Sequence, residues 1–517
     1  MINYFKSHKK DISFWLILFL VCVLRLYKFG DVPAGLNQDE AFTGYEAFSL
    51  LTYGTDSWGY RFPLYFISWA SGTSVLYGYL TLPFMFIWGA SVWVLRLPQV
   101  LLGILSCYVF YRLLRICFNR QTALTGFFLS AVIPWHIMLS RWGLDANISP
   151  FFILTGFYFF IRGIKNSKYL LWSALIYGLG MYTYATMWIY IILTFAGELL
   201  YFLLYYRTQR ALFSVLSAGM IFTLLAFPLL LFILINYGIL PEIKTDFLSI
   251  PKLIYFRQNE IGFNDWSIKL QALGRILFSG NDFLITTHIS HYGVFYPLSL
   301  PLIIFGLYCL SKGCIDDIKH KRFSINGIIL AHIIIGLIYA STLYPCINRL
   351  NFLWFNLLIA LTTGIVFFFR YKKFFYSILF IYLVSTVLFC LSYFGQYNHL
   401  AAGNFTPDFY PSIQFAENEH HKRNLPITVL EAPSVFPKIL YYNQIPSQAF
   451  RKTVRWQNFP SSYLDAQSFM HYYFKPEFDY TLLTTDSIYI APTTQKYWFY
   501  QFDVTFFGNY LVAIPKA

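Results

Sequence analysis

Charge is what this chain has least of. Only 24 of its 517 residues are acidic and 38 are basic, so charged residues make up 12% of the sequence. A soluble core cannot absorb the rest, which is 57% hydrophobic and 21% aromatic with a mean hydropathy of +0.53. Cysteine is nearly as sparse. The seven cysteines, Cys22, Cys107, Cys117, Cys309, Cys314, Cys346 and Cys390, lie in or beside apolar runs and have no metal-ligand spacing. None falls after Gly395, which excludes a disulfide framework in the tail. Internal repeats and low-complexity linkers are also missing, and the tail holds no nucleophile elbow, phosphate loop or zinc spacing.

What the chain does have is a series of apolar runs near the roughly 17 to 25 residues that a bilayer requires. They recur from Ile12 to about Phe394. Between them, basic residues collect at alternate junctions: Lys6, Lys9 and Lys10; Arg112, Arg115 and Arg120; Arg162, Lys165 and Lys168; Arg207 and Arg210; Lys312 to Arg322; Arg370, Lys372 and Lys373. With these clusters cytoplasmic, the expected fold is an all-α multispan membrane protein of about eleven transmembrane helices, amino terminus inside. The spans run over residues 12–27, 96–116, 121–139, 150–163, 169–186, 188–205, 211–235, 293–311, 325–344, 350–370 and 374–394. Arg25 and the lack of a small-residue cleavage site mark the first run as a retained anchor. The formal charge of +14 is then topology and lipid contact, with no nucleic-acid partner.

The inner loops are short, whereas two outer segments, 28–95 and 236–292, are long enough to build something. Residues 1–394 form the expected membrane domain. Residues 395–517 form a small α/β extracytoplasmic domain. Its expected elements are helices at Asp408 to His421 and Phe436 to Tyr442, with strands at Ile427 to Leu430, Tyr480 to Leu483, Ser487 to Ile490 and Tyr510 to Ile514.

The first outer segment opens on Asn37-Gln38-Asp39-Glu40-Ala41, two carboxylates just beyond the first span. Asn37 is a natural cap for a helix from about Gln38 to Tyr53, with Glu40 completing a capping box and Gly54 ending it. That accounts for Asn37, Glu40 and Gly54 but leaves Asp39 unexplained. Neighbouring carboxylates on a helix point apart, so one of the pair is free for chemistry. Partial burial and the nearby Glu40 charge are expected to raise the basicity of Asp39. For an anionic ligand, the outer arginines Arg141, Arg349, Arg61 and Arg96 are the natural candidates, followed by Arg25, Arg257 and the loop histidines His288 and His291. The alternative for each is snorkelling or pairing with a structural acid. Asp145 and Asn147, in the second outer turn, could orient a polar ligand, or Asp145 could cap a helix. Trp58, Tyr65, Trp69 and their aromatic neighbours could stack on a ligand, or form an interfacial belt.

The ordered set Pro33-x-Gly35-Leu36-Asn37-x-Asp39-Glu40-Ala41, Gly44-Tyr45, Gly54-x-Asp56, Pro63-Leu64 and Arg96-Leu97-Pro98 resembles polyprenyl-phosphate-dependent membrane glycosyltransferases of the GT-C type. These are the family-39-like enzymes related to protein O-mannosyltransferases and to the aminoarabinose transferase of lipid A. The resemblance is strongest over the first 150 residues or so. It implies transfer of one sugar from polyprenyl phosphate to an acceptor hydroxyl outside the cell (plasma) membrane, on a cell-wall polymer, lipid-linked glycan or protein. Asp39 and Glu40 would then be the catalytic carboxylates, with Asp39 the base. Arg141, Arg349, Arg61, Arg96 and His291 would meet the donor phosphate; Asp145, Asn147, Trp58 and Tyr65 would contact acceptor or sugar. No cofactor is required by this chemistry, and a divalent cation on Asp39, Glu40 and Asp145 stays open. Alternatives are a lipid-linked glycan polymerase or ligase, a flippase or transporter, and a noncatalytic receptor built on the tail.

Overall fold

The computed structural model describes residues 12–256, 262–289, 291–432 and 434–516. Arg257 and the amino-terminal Lys6, Lys9 and Lys10 lie outside the described residues. Helices overlap the residues of each expected span, with shifted bounds such as Ser299–Lys319 for 293–311 and Lys168–Gly180 for 169–186, and with two differences in shape. The third is broken by Pro134 into Arg120–Val132 and Pro134–Leu139, and the tenth ends in a 3-10 turn, Phe367–Arg370. Among the described residues, six helices are long and apolar enough to cross a membrane: Val92–Cys117, Asp145–Lys165, Met187–Tyr206, Gln209–Asn236, Ser299–Lys319 and Lys372–Leu400. Shorter apolar helices include Ile12–Leu26, Leu76–Trp88 and Ile325–Ala340. The outer segments are more ordered than expected of loops. They hold Leu76–Trp88 and Trp266–Ser279 as helices, with small strand pairs at Tyr65–Phe66 and Thr73–Ser74 and at Ile243–Lys244 and Ser249–Ile250.

The chain divides into two compact units, and the division does not fall at residue 394. One unit comprises residues 1–32, 98–228 and 258–397; the other comprises 33–97, 229–257 and 398–517. The first outer segment thus belongs with the tail.

The first unit is helical. Some of its polar interior groups bond to one another: Ser173 Oγ donates to Gly156 O across adjacent helices, and Asn356 donates to the Tyr190 hydroxyl. Buried Arg25 donates to the Ser130 and Ala131 carbonyls and lies 2.6 Å from His136 Nδ1. Glu198, the acid embedded in an apolar helix, sits 3.1 Å from both His332 and the Tyr177 hydroxyl, on a cavity of about 330 Å³.

In the second unit the tail builds a seven-stranded sheet. From edge to edge it runs Phe502–Phe507, Tyr510–Pro515, Ile488–Pro492, Ile427–Leu430, Tyr472–Lys475, Ala466–Phe469 and Arg455–Trp456. The central strand, Ile427–Leu430, is parallel to both neighbours and buried at all four positions, as an unbroken apolar run should be. Parallel pairing demands a long crossover. The one from Leu430 to Tyr472 carries helices Phe436–Tyr442 and Ser447–Thr453. Expected Tyr480–Leu483 is a 3-10 turn instead, because the Asp479 side chain accepts from Thr481 N and Thr481 Oγ1 and so starts a turn.

That crossover lies against the Gln38–Tyr53 helix. Tyr45 donates to Ile445 O at 3.0 Å and Tyr441 donates to Ser91 O at 2.9 Å. Gly44 is needed for the approach: a Cβ there would stand 2.9 Å from both Leu95 Cδ2 and Tyr441 Cε2. Gly35 is required twice over, by its φ of +80° and by the Phe405 and Pro407 backbone beside it.

Candidate functional site

The Gln38–Tyr53 helix starts and stops as its sequence predicts. Asn37 Oδ1 accepts from Asp39 N at 3.0 Å, Glu40 reaches back to Asn37 N at 3.4 Å, and Gly54 closes the helix in the left-handed conformation with its N–H on Leu50 O. The two carboxylates follow different courses from this first turn. Glu40 is fully buried and forms a fork with fully buried Arg96, Nε to Oε1 at 2.6 Å and Nη2 to Oε2 at 2.8 Å. Arg96 also donates to the Pro33 and Gly35 carbonyls at 2.6 and 2.7 Å. The Glu40–Arg96 pair therefore knots the Pro33–Gly35 turn to the Val92–Cys117 helix. Both residues have structural work in place of the catalytic and phosphate-binding roles expected of them.

Asp39 is half-buried, and its Oδ1 accepts from Trp69 Nε1 at 2.9 Å. Trp69 and Ala70 both have positive φ, +50° and +70°, a conformation that costs on the order of 1–2 kcal/mol for each non-glycine residue. Packing holds the strained pair. The Trp69 ring stacks on Tyr463 with centroids 4.6 Å apart and planes at 3°, and meets the edge of Phe436 at 5.4 Å. The Tyr463 hydroxyl accepts from Gln38 Nε2 and donates to Ser434 Oγ. Asp39 is thus framed by the tail.

The tail also brings a cation. Lys438, on the Phe436–Tyr442 helix, is 3% exposed and donates to Thr406 Oγ1 at 2.7 Å. Burial strips its ammonium of water and pushes its pKa down to about 7, against the pull of Glu40 and Asp39, which favour the charged form. Expectation from sequence passed over Lys438 and Tyr463, and gave Trp69 a stacking role and not the bond to Asp39 that it makes. The signal for Lys438 was there: a lone lysine within Phe436-Pro437-Lys438-Ile439-Leu440, an apolar helix.

A second acidic pair supports the same helix. Glu46 accepts from Ser57 N at 2.7 Å and from Ser57 Oγ, and Asp56 Oδ1 accepts from Trp58 N and Tyr60 N at 3.0 and 2.8 Å. Burial raises both carboxyls, Asp56 to about 7.

The other expected residues are dispersed. Arg141 is fully buried, and its guanidinium donates to the carbonyls of Val32, Leu24, Arg25, Tyr27 and Lys28. Those bonds use the five N–H groups of an arginine, so the arrangement argues against a phosphate ligand there. Arg61 is exposed and paired with Asp246 at 2.8 Å. Arg349 is half-buried, its Nη1 on Tyr344 O at 3.2 Å. His291 is exposed with φ +73°, and His288 lies 3.2 Å from Asp282. Buried Asp145 opens the Asp145–Lys165 helix and accepts from Ala146 N, a local cap-like contact. Buried Asn147 accepts from Gln99 at its carbonyl. Trp58 stacks on Trp456 at 5.7 Å, and buried Tyr65 stacks on Phe232 at 4.5 Å. Both rings are spent on packing. Among the described residues no three His, Cys, Asp or Glu side chains are grouped to hold a metal ion, and the Asp39-Glu40-Asp145 cation set does not fit, since Glu40 is taken by Arg96.

Known proteins align with this framework. The family described as dolichyl-phosphate-mannose-protein mannosyltransferase matches residues 73–235. The fold is similar to that of ArnT from Cupriavidus metallidurans in the apo state, with a TM-score of 0.54 and 9% identity over 98% of each chain. It is also similar to the same organism's ArnT bound to undecaprenyl phosphate, at 0.53 and 9% over 97% of each. The oligosaccharyltransferase of Archaeoglobus fulgidus, in a complex with Zn and sulfate, gives 0.50 and 14% over 83% of this chain. The chain spans 61% of that enzyme's length. No curated protein matches by sequence. These likenesses define the class: the chain has the GT-C fold. The mannosyltransferase family match covers residues 73–235 alone, so what the chain as a whole shares with these enzymes is the fold.

Proposed function

We propose that this protein is a glycosyltransferase that moves a single sugar from a polyprenyl-phosphate donor to an acceptor hydroxyl at the outer face of the plasma membrane, with Asp39 as the base. The observation that carries the reading is the unequal fate of the two carboxylates: Glu40 is closed off by Arg96, while Asp39 stays half-exposed in an oriented pose on Trp69. In the step, the acceptor hydroxyl gives its proton to Asp39 as its oxygen bonds the anomeric carbon. The bond from that carbon to the phosphate oxygen breaks, and its electron pair leaves with the lipid phosphate. A framed, partly dry carboxylate suits that transfer better than a solvated one.

Support for the donor comes from the ArnT likeness, since that enzyme binds undecaprenyl phosphate, and from the dolichyl-phosphate-mannose wording of the matching family. An outside site also needs a sugar that arrives on lipid. The amino terminus is then cytoplasmic and the tail extracytoplasmic. Arg61 remains available to the phosphate, because an exposed pair such as Arg61–Asp246 is weak and readily exchanged. The acceptor is a glycan or a protein hydroxyl. The oligosaccharyltransferase likeness favours one second reading, transfer of a preassembled oligosaccharide.

The test is sugar transfer by the purified full chain in lipid, with a panel of polyprenyl-phosphate monosaccharides and crude envelope acceptor. Asp39→Asn keeps an oxygen for Trp69 and is expected to lower kcat by about 10²- to 10⁴-fold with an unchanged unfolding midpoint. Wild-type rates in Asp39→Asn would end the base assignment. Transfer only from oligosaccharide-bearing lipid would favour the second reading.

A further inference from the structure

The transfer step makes no use of a cleft of about 480 Å³ in the tail, where three elements meet. The helix Phe409–Arg423 gives it a polar face: Gln414, Glu417, Asn418 and His421 recur at the i, i+3, i+4, i+7 spacing that puts them on one side, while Phe409, Ile413 and Ala416 on another side are buried. The turn after Phe436–Tyr442 and the hairpin tip at Met470 and His471 supply the rest of the lining. Its size lies within the roughly 300–1,000 Å³ usual for small-molecule sites.

We propose that this cleft is a glycan-binding subsite that holds the sugar chain of the acceptor, so that the acceptor is a glycan and not a protein. The inference rests on the reading that the protein transfers sugar to an acceptor hydroxyl.

The polar groups of the cleft orient one another. Gln414 Nε2 donates to Asn443 Oδ1 at 2.7 Å, and Asn443 Nδ2 donates to the Tyr472 hydroxyl at 2.7 Å and to Glu417 Oε1 at 3.4 Å. The His471 imidazole lies 2.9 Å from the same Glu417 oxygen and stacks on His420 with centroids 3.8 Å apart. These contacts fix a glutamate whose side chain is 15% exposed. Among the described residues its Oε2 accepts no hydrogen bond, and the exposed His421 stands 3.7 Å from it. That oxygen accepts from a ligand hydroxyl, and the amides of Asn418 and Gln444, on the same cleft, both donate and accept. Tyr442, Pro446 and Met470 add apolar surface. A sugar ring has hydroxyls at its rim and C–H groups on its faces, so it meets both kinds of lining. A peptide adding a strand would need a sheet edge, and both strands of the hairpin, Ala466–Phe469 and Tyr472–Lys475, are already paired on either side.

Gln444 carries a separate signal. Ile445 N bonds Leu440 O at 3.1 Å and Gln444 N bonds Tyr441 O at 3.3 Å, the pair of bonds that ends a helix through a left-handed residue. Gln444 is that residue, with φ +49°. Glycine would sit there without strain, so the amide is carried at a cost to folding that a role for its side chain explains.

One helix ties the cleft to the proposed base. Ile445, part of the lining, accepts from the Tyr45 hydroxyl at 3.0 Å, and Tyr45 follows Asp39 on Gln38–Tyr53 by six residues, about 9 Å of helix rise. A sugar chain seated in the cleft is thus held in a fixed relation to Asp39.

The experiment uses the full chain in lipid. The probes are oligosaccharides released from crude envelope glycan by partial acid hydrolysis and, in a parallel arm, tryptic peptides of envelope protein. Binding is read by NMR saturation transfer from protein to probe, and kcat, donor KM and acceptor KM from transfer to the same oligosaccharides. Wild type is expected to saturate sugar protons and not peptide protons. Glu417→Gln is expected to weaken sugar binding about tenfold and to raise acceptor KM by the same factor, with donor KM and the kcat at saturating acceptor within about twofold. Gln444→Gly is expected to weaken binding about threefold while its unfolding midpoint holds or rises, which a merely structural glutamine would not do; it carries the test where Glu417→Gln fails to fold. Equal sugar binding in wild type and the folded variants overturns the inference, as does saturation of the peptides in place of the sugars. Transfer whose acceptor KM is the same in every variant also overturns it and leaves the transfer reading standing. Sugar binding that the variants weaken, with no transfer from any polyprenyl-phosphate donor, keeps the glycan site and sinks the transfer reading.

Discussion

Arg96 and Arg141 are both fully buried arginines, yet the acceptors described around them differ in kind, a carboxylate with two carbonyls for one and five carbonyls for the other. Arg141 gathers carbonyls from the last turn of Ile12–Leu26 and the chain just beyond, the groups that a helix end leaves without donors. Aromatic rings of Tyr393 and Phe394 cover it at 5.7 and 4.9 Å. Arg96 instead neutralises Glu40 and leaves the adjacent Asp39 to another partner. The lesson is that an arginine's place near a membrane face says little about its task. The acceptors around it decide whether it staples a backbone or shapes a field.

The hardest blow to that contrast would come from Arg141→Lys. Lysine has three donors without the planar fork, so at least two buried carbonyls lose a partner. The expected cost is roughly 3–5 kcal/mol, from about 1–3 kcal/mol for each orphaned buried group. A large drop in the unfolding midpoint in detergent is the readout. A variant of unchanged midpoint that binds undecaprenyl phosphate more weakly would return Arg141 to the phosphate and erase the distinction.

A gentler cut sharpens the other side. Trp69→Phe removes the N–H that holds Asp39 Oδ1 and keeps most of the ring that stacks on Tyr463. The expected loss in kcat is about tenfold, with donor KM little changed, because the base is misoriented and not removed. Steady-state transfer rates decide it. Equal kcat in Trp69→Phe would mean that this bond does not orient the carboxylate.

Sequence was informative wherever the cause was local. Asn37, Glu40 and Gly54 specify a cap, a box and a stop within 18 residues, and the helix lies between them. Apolar runs identified the spans, and Ile427–Leu430 and Phe436–Tyr442 were legible as the strand and helix they are. Nonlocal causes were not legible. Arg141 is saturated by backbone carbonyls, which every residue possesses and no side-chain pattern advertises. Trp69, whose indole donates to Asp39, lies 30 positions away, and Tyr463, on which that indole stacks, lies in the tail. Strands such as Ala466–Phe469 and Tyr472–Lys475 were missed because polar residues interrupt them, Gln467 and Ser468 in the first. Their pairing comes from the central strand and not from their own composition.

The smallest expected effect belongs to Asp56, and its sign follows from linkage. Folding raises this carboxyl from the usual range near 3.9 to about 7, through burial first, against the backbone bonds it accepts from Tyr60, Trp58 and Gly59. The folded state therefore holds the proton more tightly than the unfolded chain does. Its favourable contribution is full below about pH 4, shrinks as pH rises, and has become a penalty above about 7. Asparagine is neutral at every pH and can still accept from Trp58 N and Tyr60 N. Asp56→Asn should thus unfold at a higher temperature than wild type at pH 8, with the gap narrowing by pH 5. Glu46, also raised by burial and by Asp56, makes the same sign appear in Glu46→Gln, although there the bonds from Ser57 are altered too. A midpoint of Asp56→Asn below wild type at both pH values would show that the charge of Arg451, which favours the ionised form, outweighs burial at this carboxyl.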